Sequence, residues 1–426
     1  MSSSFRALRT RNYRLWVSGT VVSNTGTWIQ RTSQDWLVLT QLTNHSGLAT
    51  GVTTGLQFAP LMLLSAHAGV LADRLPKRKV LMVTQSVMGL SALILGLLVV
   101  THTVQLWHVF VCATLLGCGS AFDNPSRQAF VSEVVAREDV ISAVSMNSAS
   151  INIARLLGPG LAGLIITAWG TGPGFLINAA SFAAVLISLS RMRTSEMFIV
   201  PRLPRAKGQV REGIRYVRGR PDLMLVLFCT FLVNAFAFNF QITNALMASG
   251  PFHRGASEYG LLGSVQAIGC LGAVLLNARR EAPRLTLVAG ATFALGATML
   301  LDALMPTFLL YSVFIVPVGL AMITVNNSTN TSMQLATDPQ MRGRVIALYV
   351  TVQQGTTPIG APIVGWLGTE FGARWSVLTG AFAGLIAGGI AWAMLARRPG
   401  LNRRFSQELA ASAAAMKPAA PDLAEA

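Results

Sequence analysis

Asp35 follows Arg31 by one helical turn, and in a helix Asn24, Thr27, Arg31 and Asp35 share an arc of about 80°. A carboxyl beside a guanidinium can handle a proton. The cation favours the ionised acid and loss of water favours the neutral one, so occlusion can switch its protonation. A static ion pair is the alternative. Arg155 stands midway along the apolar stretch "SINIARLLGPGLAG", where an arginine costs at least a few kcal/mol unless it is hydrated or paired. With Ser145, Ser148 and Asn152 on its face, it reads as an anchor for anionic groups, as a coupling partner for an acid, or as half of a structural ion pair. The stretch "TVNNSTNTSMQ" sets Asn327, Asn330 and Gln334 on one helical face, and Asn234 and Gln241 stand among Phe231, Phe236, Phe238 and Phe240. Each amide either lines a polar cavity or ties helices together, and the phenylalanines read as packing or lipid-facing groups rather than a substrate box. Finally, "GVLADRLPKRKVLM" concentrates Asp73, Arg74, Lys77, Arg78 and Lys79 between two apolar runs. Such a cluster either anchors a loop or locks two helix bundles in one state.

Other chemistries lack their residues. Lys77, Lys79, Lys207 and Lys417 follow Pro, Arg, Ala and Met, so there is no Gly-rich phosphate loop ending in Gly-Lys and no internal ATP motor. His45, His67, His102, His108 and His253 are scattered, without metal-ligand spacing. Cys112, Cys118, Cys229 and Cys270 all fall in apolar stretches and read as packing residues. No metal or cofactor is expected, and the chain is not expected to be an enzyme.

The elements that hold these residues follow from composition. Of 426 residues, 52% are hydrophobic and 12% charged; soluble domains carry about 25% charged residues. Long apolar runs recur, each near the roughly 20 residues that cross a hydrocarbon core as a helix. The period-2 alternation of a barrel is missing, so the fold class is an all-α membrane protein. Twelve spans are placed near 13–39, 48–72, 79–101, 106–126, 143–168, 174–191, 222–249, 257–278, 285–305, 308–334, 344–368 and 375–396. The net charge of +16 then sorts by face, since only Arg254 and Arg374 among the loop bases fall opposite the rest. By the positive-inside rule both termini are cytoplasmic, and nucleic acid is not a partner. The chain divides into a six-helix half (1–191), a cytoplasmic linker (192–221), a second six-helix half (222–396) and a disordered tail (397–426). Within the linker, Val210, Ile214 and Val217 make an amphipathic face that either lies on an anionic leaflet or is plain connection. An offset of 202 residues lays Asn124 on Asn326, Gly158 on Gly360, Gly163 on Gly365 and Gly170 on Gly372, the mark of a parallel repeat.

On these residues the chain resembles the major facilitator superfamily. "GVLADRLPKRK" is similar to its loop motif between spans 2 and 3, with Gly69, Leu71, Asp73, Arg74 and Arg78 near the motif's positions and Pro76 in place of its second Gly. "ARLLGPGLAG" resembles the Gly-Pro motif of the superfamily's antiporters at Gly158, Pro159 and Gly163, with Ala162 where a Gly is expected. "SNTGTWIQRTSQDWLVL", "AFDNPSRQAF" and "MRGRVIALY" resemble the branch of the enterobactin (siderophore) exporter and related drug effluxers. The resemblance implies two halves rocking about a cavity lined by spans 1, 4, 7 and 10. That would gather Asn24, Asn152, Arg155, Asn234, Gln241, Asn327, Asn330 and Gln334 around a substrate. It also suggests that Asp123 joins a cytoplasmic lock with Arg74 or Arg78, and that the protein works as a monomer.

The expected function is a secondary exporter, driven by protons, of small amphipathic molecules such as siderophores or drugs, in the cell (inner) membrane. Among acids within spans, Asp302 lies near an outer end, Glu258 and Glu370 lie at outer ends, and Asp123 is assigned to the lock, which leaves Asp35 with Arg31 for proton coupling. The alternatives are an importer on the same fold, a non-transporting receptor, and a membrane enzyme acting on lipids.

Overall fold

The protein is described by a computed structural model over residues 3–198, 209–278, 284–398, 400–402 and 405, without side chains at 3–5, 65–67, 69–74, 209–210 and 278. All regular structure among the described residues is helical. After a 3-10 segment, Ser3–Arg9, the helices are α1 (Arg11–Trp36), α2 (Gly47–Arg74), α3 (Lys77–Val100), α4 (Leu106–Val134), α5 (Val140–Trp169) and α6 (Gly172–Ser190). Then come α7 (Gln209–Arg218), α8 (Pro221–Leu232), α9 (Phe240–Ser249), α10 (Ala256–Ala278) and α11 (Leu285–Ala303). The series ends with α12 (Phe308–Leu335), α13 (Arg342–Gly355), α14 (Thr357–Glu370) and α15 (Ala373–Arg397). In hydrocarbon a helix satisfies its own backbone, which is why apolar stretches of this length take no other form.

Ten stretches of the described residues are long and apolar enough to cross a membrane, α8 and α9 counting as one. The other two predicted spans are also helical but differ in kind. α1 is too polar to qualify, and it is lodged between α5 and α6 with Gln30, Gln34 and Asp35 buried. There the Asn178 amide of α6 donates to Gln30 Oε1 at 2.6 Å. The eleventh span is divided at Thr356 into α13 and α14. Helix ends are read from local chemistry: Gln105 and His108 cap α4 reciprocally, the Thr307 hydroxyl caps α12, and Pro221 opens α8 where no N–H is needed.

Helices α1–α6 pack mainly on one another, as do α8–α15, and two main contacts join the sets: α2 on α14, and α5 on α10, with smaller ones of α2 on α13 and of α1 and α2 on α9. The 202-residue repeat recurs in this packing. Gly158 of α5 lies against Trp28, and its counterpart Gly360 of α14 lies against Ala235 in the matching place of the second half. Gly163 meets Ser257 at the start of α10, and Gly365 meets Gly47 at the start of α2. Gly170 and Gly372 both take positive φ, 80° and 100°, which only a residue without Cβ adopts freely. A side chain at Gly51 would strike the Ala361 carbonyl, so the two halves touch backbone to backbone there.

α5 is one continuous helix through Pro159. The linker helix α7 is docked on α13. Val217 is 1% exposed, Gly213 abuts Arg344, and Glu212 pairs with Arg344 at 2.9 Å. Arg211, Arg215 and Arg218 keep its outer face basic. Linker residues 199–208 and the tail beyond 405 lie outside the described residues.

Candidate functional site: a cavity between the two halves

Between the halves lies a cavity of about 180 Å³. α1 contributes Trp28 and Arg31, α2 Thr54 and Phe58, and α5 Arg155. The far side is built by Phe238, Asn239, Phe240, Gln241 and Ile242 where α8 passes into α9, by Met322, Ile323 and Asn326 of α12, and by Thr357 of α14. A π-helical stretch, Val233–Ala237, and a short break before Phe240 turn this chain of phenylalanines inward. Phe238 and Phe240 therefore line the cavity, contrary to the packing role read from sequence, whereas Phe231 is exposed. A recess of about 20 Å³ shares Trp28, Arg155, Phe240 and Gln241, and adds Asn244 and Tyr259.

Two cations approach the Trp28 ring. The Arg31 guanidinium carbon is 5.6 Å from its centroid and the same from that of Phe58, and the Arg155 carbon is 5.5 Å from Trp28. Arg31 Nε, Arg155 Nε and Gln241 Nε2 are buried with no hydrogen-bond partner among the described residues. Asp35 is not in ion-pairing contact with Arg31. It is 4% exposed and accepts a long hydrogen bond from Tyr259 OH of α10, at 3.5 Å, while Trp36 stacks on the same tyrosine. The acid of the first half thus meets a phenol of the second.

The other residues read as cavity-lining sit elsewhere. Asn24 donates to the Ser150 hydroxyl at 3.0 Å and ties α1 to α5. Asn152 and Asn234 bond back to carbonyls of their own helices, at Ser148 and Thr230. On α12 the register differs by one residue. Asn326 faces the cavity and receives Gln353 Nε2 at 2.7 Å, whereas Asn327 is exposed and Gln334 donates to Asn330. Trp28, Phe58 and Tyr259 were not singled out by sequence, and Asn326 was marked only as the repeat partner of Asn124. Trp28 could have been, since helical spacing puts it only about 20° past Asp35 on the polar stripe.

The charged turn is resolved in part. Gly69, Asp73 and Arg74 have helical backbone in α2, but their side chains lie outside the described residues. Arg78 does not reach Asp123. Its guanidinium donates to the carbonyls of Leu189 and Ser190 at 2.8 and 3.0 Å, covering the C-terminus of α6, where a cation is favoured. Lys77 pairs with Glu133 at the end of α4. Asp123 accepts from Thr84 at 2.9 Å, Gln85 at 2.7 Å and Arg127 at 3.0 Å.

At the Gly-Pro segment a hydroxyl from the other half enters α5. Ser264 of α10 receives the Gly160 N–H at 3.1 Å and donates to the Leu156 carbonyl at 2.7 Å. Across the second contact, Thr369 of α14 caps α2 by accepting the Gly47 N–H at 2.8 Å.

The profile of the transmembrane secretion effector family matches residues 2–419. The chain belongs to this family. It is a membrane transporter of the major facilitator superfamily, with efflux pumps among its relatives. The staphyloferrin A transporter of Staphylococcus aureus is 25% identical over 82% of this chain and 87% of its own. The multidrug efflux pump Tap of Mycolicibacterium fortuitum is 25% identical over 84% and 89%. The enterobactin exporter of Shigella flexneri is 25% identical over 82% and 83%. Among solved structures, a peptide transporter superposes with a TM-score of 0.76 at 12% identity over 93% of this chain and 96% of that one. A D-xylose–proton symporter gives 0.69 at 12% identity over 89% and 96%. These likenesses establish the fold.

Proposed function

We propose that this transporter is a proton-driven exporter of small amphipathic molecules, working as a monomer in the cell membrane by alternating access to the cavity between its halves. The observation that carries the coupling is the position of Asp35. It is buried one turn from Arg31, and its hydrogen-bond partner, Tyr259, belongs to the opposite half. Separation of the halves must break that bond and change the acid's hydration, which is what a coupling group requires. The charged or titratable groups around it are Arg31 on its own helix, Tyr259 on α10, and Arg155 on α5 beyond Trp28. Export rather than import is supported by the efflux and exporter relatives.

The direction is tested by efflux of a panel of labelled compounds from expressing and non-expressing cells. Retention that falls on expression supports export, and uptake that rises refutes it. The coupling is tested with Asp35→Asn in vesicles under an imposed pH gradient. Gradient-driven transport is expected to be lost, with substrate binding and gradient-independent exchange retained. Full accumulation by the variant removes Asp35 from the mechanism.

A further inference from the structure

The cavity has more positive charge than its walls neutralise. Arg31 and Arg155 both approach one indole, and neither takes part in any ion pair among the described residues. Among the described residues, no Asp or Glu lines the cavity. Stacking on aromatic faces stabilises a guanidinium by less than an arginine costs within a membrane protein without an anion or water. Arg155 also approaches the Cys270 sulfur, a weak acceptor that leaves its Nε free. Asp35, one turn from Arg31, makes no ion pair with it and accepts from Tyr259.

The hydrogen-bonding pattern has the same sign as the charge. Arg31 Nε, Arg155 Nε and Gln241 Nε2 are donors awaiting an acceptor. The nearby amide oxygen of Asn326 is already engaged by Gln353. A buried donor left unpaired is destabilising, so the complementary guest brings acceptors and negative charge. The remaining wall, Phe58, Phe238, Phe240 and Met322, is apolar and suits a hydrophobic body.

We propose that the cavity binds small molecules carrying a carboxylate on an aromatic or other apolar body, the carboxylate held between Arg31 and Arg155 and steadied by Gln241. A carboxylate's paired oxygens accept from guanidinium N–H groups in the geometry that makes such bonds strong. The same site disfavours cationic amphipaths, which would add a third positive charge. This assignment rests on the cavity being the transporter's substrate site, and it deepens that reading by naming a substrate class.

The test uses the purified full chain in lipid nanodiscs, with no gradient and no transport step. Indole-3-acetate and indole-3-acetamide match in size and differ in charge, and each is titrated by calorimetry. The acid is expected to bind at least tenfold more tightly than the amide. Arg31→Gln and Arg155→Gln should each remove at least tenfold of the acid's affinity and little of the amide's, and Arg155→Lys should retain an intermediate value. The wild-type comparison needs no variant, so a misfolded substitution cannot obscure it. Equal binding of acid and amide, tighter binding of the amide, or no binding of either overturns the clamp. Failure of export with arginine-dependent acid binding intact would overturn only the exporter reading, and the reverse pattern only the clamp.

Discussion

Asp123 shows what one buried carboxylate does for the first half. It collects Thr84 and Gln85 from α3 and Arg127 from its own helix, and Arg127 in turn lies over the Trp16 ring of α1 at 5.4 Å. An asparagine there presents an NH₂ to donors that need an acceptor. Asp123→Asn is therefore expected to cost about 2–3 kcal/mol, read as a fall of several degrees in the thermal unfolding midpoint in detergent. The exposed pair Arg193–Glu196 is the control: Glu196→Gln should move the midpoint hardly at all. The resemblance suggested that Asp123 joins Arg74 or Arg78; Arg78 is held by the Leu189 and Ser190 carbonyls instead, and the Arg74 side chain lies outside the described residues. Residue types tell what a charge needs; the nearest supplier was the bare C-terminus of α6, whose place beside α3 is a tertiary fact. Arg155 and Gln241 were legible because a polar group in an apolar span must face something. Asn24, Asn152 and Asn234 met the same condition by bonding within or between helices, so polarity alone could not separate lining from tie.

At the scale of elements, each of the two main inter-half contacts carries one hydroxyl, Ser264 against α5 and Thr369 on the first turn of α2. When the halves part, both hydroxyls must lose these bonds, and the bare N-terminus of α2 can be hydrated. Each hydroxyl is thus a small bias toward the state described. Ser264→Ala should remove about 1 kcal/mol of it, roughly a fivefold shift in population. The measure is labelling of Thr54→Cys, which lines the cavity, by a reagent added from the Asn44 side, in a background lacking the native cysteines. Unchanged labelling would show that Ser264 carries no such bias. The repeat behind this arrangement was readable from the glycines at an offset of 202, because close backbone approach admits little else. The inserted serine was not readable, since serine is common in helices and its partner lies 104 residues away.

For the whole molecule the governing fact is the solvent. Trp107, Trp169, Trp366 and Trp375 stay 44–73% exposed although they are large and apolar, and they stand near helix ends that the span assignment puts on one face, the place where amphipathic rings settle at a membrane boundary. The bases sort the other way: Arg254 and Arg374 are the loop bases on that tryptophan-bearing face, and the charged turn, the linker helix and the C-terminal end of α15 are on the opposite one. The positive-inside rule then sets Asn44 outside and Gln209 in the cytoplasm. The prediction is tested with single cysteines at these two positions, again without the native cysteines, and an impermeant maleimide applied to intact cells. Asn44→Cys should label in intact cells, and Gln209→Cys only after the membrane is opened. The contrast does not depend on transport, substrate or coupling ion. Labelling of both positions from outside would require an even number of crossings between them, breaking the six-plus-six arrangement on which the cavity, the Asp35–Tyr259 contact and alternating access all depend.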